Sequence, residues 1–107
     1  QPELSAPTSP GSSRLVLIIE DNLDGGDTLA QALELSGHRT RVARDGRSGL
    51  ELAREIRPDV IFCDIGLPDI DGFEVARAIR NDEALSGVRL IALDRARSHD
   101  LVLPNRG

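Results

Sequence analysis

Two short apolar runs stand out along the chain, Leu-Val-Leu-Ile-Ile at 15–19 and Val-Ile-Phe-Cys at 60–63. Neither alternates with polar residues, which predicts strands buried on both faces, as in a parallel sheet enclosed by helices. Residues 38–43 alternate instead, with Thr40 and Val42 opposite Arg39 and Arg41, and predict a half-exposed strand near a sheet edge. Residues 88–93 supply a fourth strand. Between these runs the period lengthens to that of a helix. The first helix is expected over 27–36, with Leu29, Ala32, Leu33 and Ser36 on one face and Gly37 as its stop. The second runs over 46–56, capped by Asp45, striped by Leu50, Ala53 and Ile56, and ended ahead of Pro58. A third spans 73–80 and buries Phe73, Ala76 and Ile79.

Strands alternating with helices through short loops imply a parallel sheet with right-handed crossovers. The first run stops on Glu20-Asp21 and the third strand on Asp64, ahead of the loop Ile-Gly-Leu-Pro68-Asp-Ile-Asp-Gly72. In open parallel sheets ligands bind at the carboxyl ends of the strands. For those ends to lie side by side the strand order must be 2-1-3-4, the flavodoxin-like doubly wound α/β arrangement. A fifth βα unit is missing: Leu101 follows Asp94 by only seven positions, fewer than the roughly 10 to 12 residues a parallel crossover needs. Leu90, Ile91 and Leu93 would then form an exposed apolar edge. That edge favours a homodimer through the fourth strand unless residues 101–103 return along it as an antiparallel strand.

Composition adds limits. A chain of 107 residues holds one small domain. Residues 1–13 contain three of the six prolines among small polar residues and read as a disordered linker, leaving a domain at 14–93 and a divergent or irregular tail at 94–107. The chain starts at Gln1 and has no Met, as expected of a piece of something longer. A net charge of −5, with Arg as every cation, argues against nucleic acid. The lone Cys63 within an apolar strand suits a buried thiol in a reducing compartment, with cytoplasm as the expected location. No apolar run approaches the roughly 18 residues of a membrane span.

Three carboxylates meeting at two strand ends repel one another unless a cation shares the site. Oxygen donors of this kind suit Mg²⁺, which keeps waters and accepts phosphate oxygens alongside one or two carboxylates. An Asp beside such an ion can act as a nucleophile toward phosphorus. These residues resemble the receiver domains of two-component response regulators over 14–93: the acidic pair Glu20-Asp21, Asp64 ending the third strand, and the Pro68 to Gly72 loop leading into Phe-Glu-Val. The resemblance implies that Asp64 accepts a phosphoryl group from a histidine kinase. It also implies that Asp21, Asp64 and the Gly66 carbonyl hold Mg²⁺, that Glu20 supports the ion through water, and that Pro68 and Gly72 shape the loop. The Pro/Ser-rich linker is similar to those joining a hybrid histidine kinase to its receiver, so the kinase partner can be a module of the same chain.

The resemblance fails toward the C-terminus. Asp94 stands where the family has a Ser or Thr hydroxyl, and Leu103 where it has a Lys before Pro; this chain has no lysine, Tyr or Trp. Each lost contact to a phosphoryl group removes roughly 1 to 3 kcal/mol. A pseudo-receiver, an interaction module that is not phosphorylated, is therefore the second reading. A phosphohydrolase with an aspartyl nucleophile is the third, but it would want a second catalytic Asp where Gly66 stands, so the chain is expected to be a phosphoacceptor rather than an enzyme. Asp94 itself reads as an extra metal ligand or a solvated tail residue. Arg95 and Arg97 could supply the missing charge. Asp69-Ile-Asp71-Gly72 resembles part of a Ca²⁺ loop, but Leu67 occupies its first ligand position. His38 and His99 lack ligand partners, Gly25-Gly26 completes no phosphate-binding pattern, and Arg39, Arg41, Arg44 and Arg47 form a solvated basic patch.

Overall fold

The two apolar runs become adjacent central strands of a five-stranded sheet in the computed structural model, which describes residues 13–94 and 99–102, the side chains of 94 and 99–102 excepted. The elements are β1 (Leu15–Ile19), α1 (Leu23–Leu35), β2 (Arg39–Ala43), α2 (Gly46–Ile56), β3 (Val60–Asp64), α3 (Gly72–Asn81), a 3-10 turn (Glu83–Leu85), β4 (Arg89–Asp94) and β5 (His99–Val102). The sheet order is β2-β1-β3-β4-β5; the first four strands are parallel, giving the flavodoxin-like 2-1-3-4 arrangement, and β5 runs antiparallel to β4. The linker at 1–13 falls outside the described residues apart from Ser13, as do Arg95, Arg97 and Leu103.

Burial follows the apolar pattern. Successive side chains of a strand face opposite ways, and Val16, Leu17, Ile18 and Ile19 are all buried, so both faces of β1 are covered. Leu17 and Ile19 join Ile61, Cys63, Leu90, Ala53, Val75 and Ile79 in the main core, between the sheet and α2 and α3. Val16 and Ile18 meet Ala30 of α1 on the opposite face, with Leu29, Leu33, Val42 and Phe62 half-buried around them. Each such Leu or Ile contributes about 1.5 to 3 kcal/mol relative to leaving it exposed.

Three expectations are corrected. α1 starts at Leu23 rather than 27, capped by Asn22, whose side-chain oxygen accepts a hydrogen bond from the Gly25 N–H at 2.8 Å. The Gly25-Gly26 pair is therefore helical, although glycine disfavours a helix by about 1 kcal/mol. Close packing accounts for Gly26: a Cβ there would lie 3.2 Å from Arg44 Nη1 and 3.5 Å from Val42. The longer helix buries Gly26 and Ala30 and leaves Ala32 and Ser36 exposed. Its end is as expected, with Gly37 at φ 96°, a backbone conformation that favours glycine.

In α3 the buried face is Gly72, Val75, Ala76 and Ile79, while Phe73 is 46% exposed. Gly72 sits directly on the backbone of Asp64 and Ile65, and that contact sets the helix rotation and carries Phe73 one position away from the core.

The fourth strand, finally, is not an open edge. β5 pairs along it, Ile91 with Val102 and Leu93 with Asp100, so the homodimer route through a bare β4 is closed. Four residues separate Asp94 from His99, too few for a parallel crossover but enough to reverse direction. Leu90 and Ala92 are buried; Ile91 and Leu93 are half-buried.

Candidate functional site

The parallel register between β1 and β3 sets Ile19 opposite Cys63. The next residues, Glu20 and Asp64, therefore leave the sheet at the same level on neighbouring strands, at the carboxyl end where order reverses between β1 and β3. Glu20, Asp21 and Asp64 each offer an oxygen within 4.8 Å of the others, and no other such group of acidic, His or Cys side chains is found among the described residues. Glu20 is 4% and Asp64 2% exposed; Asp21 is the most open of the three.

Local hydrogen bonds hold the ring of oxygens. Glu20 Oε2 accepts from the Asn22 N–H at 2.9 Å, which turns the chain into α1. Asp64 Oδ1 accepts from the Gly66 N–H at 3.0 Å, drawing the loop back over the strand end. The Ile65 N–H donates to Leu93 O at 3.0 Å and the Gly72 N–H to Ile65 O at 3.1 Å, so β4 and α3 brace the same turn. Asp21 Oδ1 is buried and has no hydrogen-bond partner among the described residues. A buried carboxylate oxygen without a donor, beside two more carboxylates, fits a hard divalent cation: the donors are all oxygen and their charges need a counter-charge.

Of the residues singled out from the sequence, Glu20, Asp21 and Asp64 lie together, with Gly66 hydrogen-bonded to Asp64 and Gly72 packed on its carbonyl. Pro68 is exposed in the loop. Asp94 closes β4 with its backbone, paired to His99; its side chain lies outside the described residues, as does that of His99. His38 is half-buried, and its Nδ1 accepts from the Arg14 N–H at 3.1 Å.

Three residues have contacts that the sequence did not reveal. Arg44 is only partly solvated: its side chain is 41% exposed and its Nη2 pairs with Asp27 at 3.2 Å, while its Nη1 is buried against Gly26. Asp69 and Asp71, whose partial likeness to a Ca²⁺ loop already fails at Leu67, take backbone N–H groups at helix starts. Asp69 bonds Gly46 and Arg47 at 2.8 and 2.9 Å, and Asp71 bonds Phe73 at 2.9 Å. No spacing rule could have found the Asp69 contact, because its partners are backbone groups 23 and 22 residues away.

Cys63 is buried next to the acids. Burial first, and then the charges of Asp64, Glu20 and Asp71, push its thiol up to about 12. Alkylation of the folded protein at mildly alkaline pH is expected to be slow and to become fast on unfolding; rapid modification of the native protein would show that the β3 end is open to solvent.

Comparison with known proteins places this geometry. The family model of the response regulator receiver domain matches residues 16–103. The transcriptional regulatory protein AfsQ1 of Streptomyces coelicolor is 48% identical over 81 residues, 72% of this chain and 34% of that protein. The polar-differentiation response regulator DivK of Brucella anthropi is 40% identical over 78 residues, 73% of this chain and 63% of DivK. The chain thus spans about a third of the one and just under two thirds of the other. Among solved structures, the chemotaxis response regulator CheY4 of Vibrio cholerae superposes with a TM-score of 0.73 at 27% identity, over 76% of this chain and 68% of that one. The receiver domain of a signal transduction histidine kinase from Syntrophus aciditrophicus does so at 0.71 and 30% identity, over 75% and 61%. With acids at two adjoining strand ends, the loop from Asp64 to Gly72 and the 2-1-3-4 parallel sheet, the chain belongs to the response regulator receiver domain family, modules of two-component phosphorelay signalling.

Proposed function

We propose that Asp64 is the phosphoacceptor of this domain, with Mg²⁺ held by Asp21, Asp64 and the Gly66 carbonyl and supported by Glu20. The observation that carries this reading is the convergence of three carboxylates, two of them buried, within 4.8 Å at the β1 and β3 ends. A bound Mg²⁺ would offset the charge of the acids and orient phosphoryl oxygens. Asp64 uses a carboxylate oxygen to attack the phosphorus of a phosphohistidine; an O–P bond forms as the P–N bond breaks, and the imidazole leaves with a proton taken from solvent. The Gly66 N–H bonded to Asp64 Oδ1 restrains the carboxylate.

The partner is a histidine kinase. A kinase module of the same polypeptide is a second form of the same reading, supported by the similarity to a receiver that is part of a histidine kinase. Transfer from an ATP-dependent kinase implies the cytoplasm; no helix among the described residues is long and apolar enough to cross a membrane. Gly66 stands two positions after Asp64, where a phosphohydrolase with an aspartyl nucleophile would want its second catalytic Asp, which favours uptake of a phosphoryl group over hydrolysis of a substrate.

Incubation with Mg²⁺ and acetyl phosphate, followed by intact-mass measurement, tests the reading. A phosphate-mass adduct is expected on wild type and not on Asp64→Asn. Its absence from wild type under kinase as well as small-donor conditions would make the domain a pseudo-receiver, and an adduct surviving in Asp64→Asn would move the phosphoacceptor elsewhere.

A further inference from the structure

The segment between Asp64 and α3 is tied down at both ends. At its start Gly66 N–H meets Asp64, and at its end Asp71 caps α3 while Gly72 packs on the Asp64 and Ile65 backbone. Among the described residues, the polar bonds that tie residues 67–70 to another element are those of Asp69, whose two oxygens take the first two N–H groups of α2, from Gly46 and Arg47. Beside it Ile70 covers Gly46 so closely that a Cβ there would stand 2.4 Å from Ile70 Cγ1.

α2 does not need Asp69 as its cap. Asp45 already fills that place, accepting from the Ser48 N–H at 2.8 Å with its side chain and from the Gly49 N–H at 3.0 Å with its carbonyl. The two acids divide the donors of the helix start between them: Asp45 serves its own helix, whereas Asp69 joins that helix to the loop leaving the phosphoacceptor.

We propose that Asp69 is a positioning residue, which anchors the 65–71 segment to the N-terminus of α2 and so fixes Gly66 beside Asp64 for metal binding and phosphoryl transfer. This rests on the reading of Asp64 and Asp21 given above. Desolvation raises the Asp69 pKa, but the hydrogen bonds from Gly46 and Arg47 outweigh it and hold the carboxyl below its usual range. The anchor is therefore an anion at neutral pH, facing the positive end of a helix.

The test compares Mg²⁺ affinity, by calorimetric titration, and the rate of phosphorylation by acetyl phosphate in wild type, Asp69→Ala, Asp69→Asn and Asp45→Ala. Asp69→Ala is expected to weaken Mg²⁺ binding roughly 10-fold or more and to slow phosphorylation. Asp69→Asn, which keeps one acceptor oxygen, should fall between it and wild type. Asp45→Ala removes a helix cap and lowers the melting temperature without touching the loop, so its Mg²⁺ affinity should stay at the wild-type value. Wild-type affinity in Asp69→Ala, or an equal loss in Asp45→Ala, would overturn the positioning role and leave the phosphoacceptor reading intact. If Asp69→Ala does not fold, unchanged affinity in Asp69→Asn overturns it in the same way. A wild-type protein that binds no Mg²⁺ and takes no phosphate would overturn both.

Discussion

Replacing Gly72 by alanine is expected to cost about 3 kcal/mol of stability or more and, in a domain of this size, to lower the melting temperature by more than about 10 °C. A Cβ at this position would lie 2.6 Å from the Asp64 carbonyl oxygen and 2.7 Å from Ile65 Cα. Both are backbone atoms, so no rotamer change relieves the overlap; either α3 withdraws or the end of β3 moves. Withdrawal uncovers Val75 and Ile79, both at 0% exposure, while movement of β3 displaces the carboxylate that the site depends on. The strain is one of space rather than dihedral angle, since among the described glycines the positive φ belongs to Gly37. Gly46 and Gly49 make instructive contrasts. A Cβ there meets the side chains of Ile70 and Ile19, which can yield in part, so smaller losses are expected. At Gly87 a Cβ meets nothing within 4 Å, and Gly87→Ala should be neutral or slightly stabilising. Thermal and urea melts followed by circular dichroism check the series. A Gly72→Ala melting temperature within a few degrees of wild type would mean that the β3 end and α3 are not in direct contact.

Mg²⁺ is expected to stabilise the wild-type protein and to leave Asp21→Asn unaffected, while Asp21→Asn without metal is more stable than wild type. Unit charges within 4.8 Å of one another repel by about 3 kcal/mol or more at an effective dielectric constant of about 20. Asp21 faces two such neighbours, and its more open position lets water screen part of that energy. Removing one charge therefore relieves strain in the metal-free state. It also puts a neutral amide in place of the carboxylate whose Oδ1 lacks a hydrogen-bond donor, and with the charge goes most of the attraction for a cation. A ligand that binds only the folded state at about 100 times its dissociation constant adds about 2.7 kcal/mol. Melting temperatures with and without Mg²⁺, alongside a chelator control, measure both effects. Equal Mg²⁺ stabilisation of wild type and Asp21→Asn would take Asp21 out of the metal site, and a less stable metal-free variant would show that its carboxylate is compensated by other groups.

The legible and illegible parts of this chain divide along physical lines. The uninterrupted runs at 15–19 and 60–63 required strands covered on both faces, and such strands need helices above and below. Once the strands are parallel and alternate with helices, their acidic ends have few places to go, so Glu20, Asp21 and Asp64 could be brought together on paper. The bounds of α2 were equally readable, because Asp45 offers a cap and Pro58 forbids continuation. The start of α1 was not. Gly25-Gly26 has poor helix propensity, and only the close approach of Arg44 and Val42 to Gly26 shows why small residues belong there. Phe73 misled for a related reason: hydrophobicity alone would bury it, but Gly72 must face the β3 end, and a helix cannot turn both residues inward.

By itself the sequence determined the order of elements, the doubly wound sheet and the acids at its switch point, since these follow from periodicity, charge and chain connectivity. The tertiary structure alone decided what closes the sheet beyond β4, which way α3 is turned and what Asp69 holds. Each of those depends on main-chain groups distant in sequence, such as the β4 edge and the first N–H groups of α2, and every residue carries nearly the same main-chain donors and acceptors. Side-chain identity therefore leaves no trace of such partners until the chain has folded.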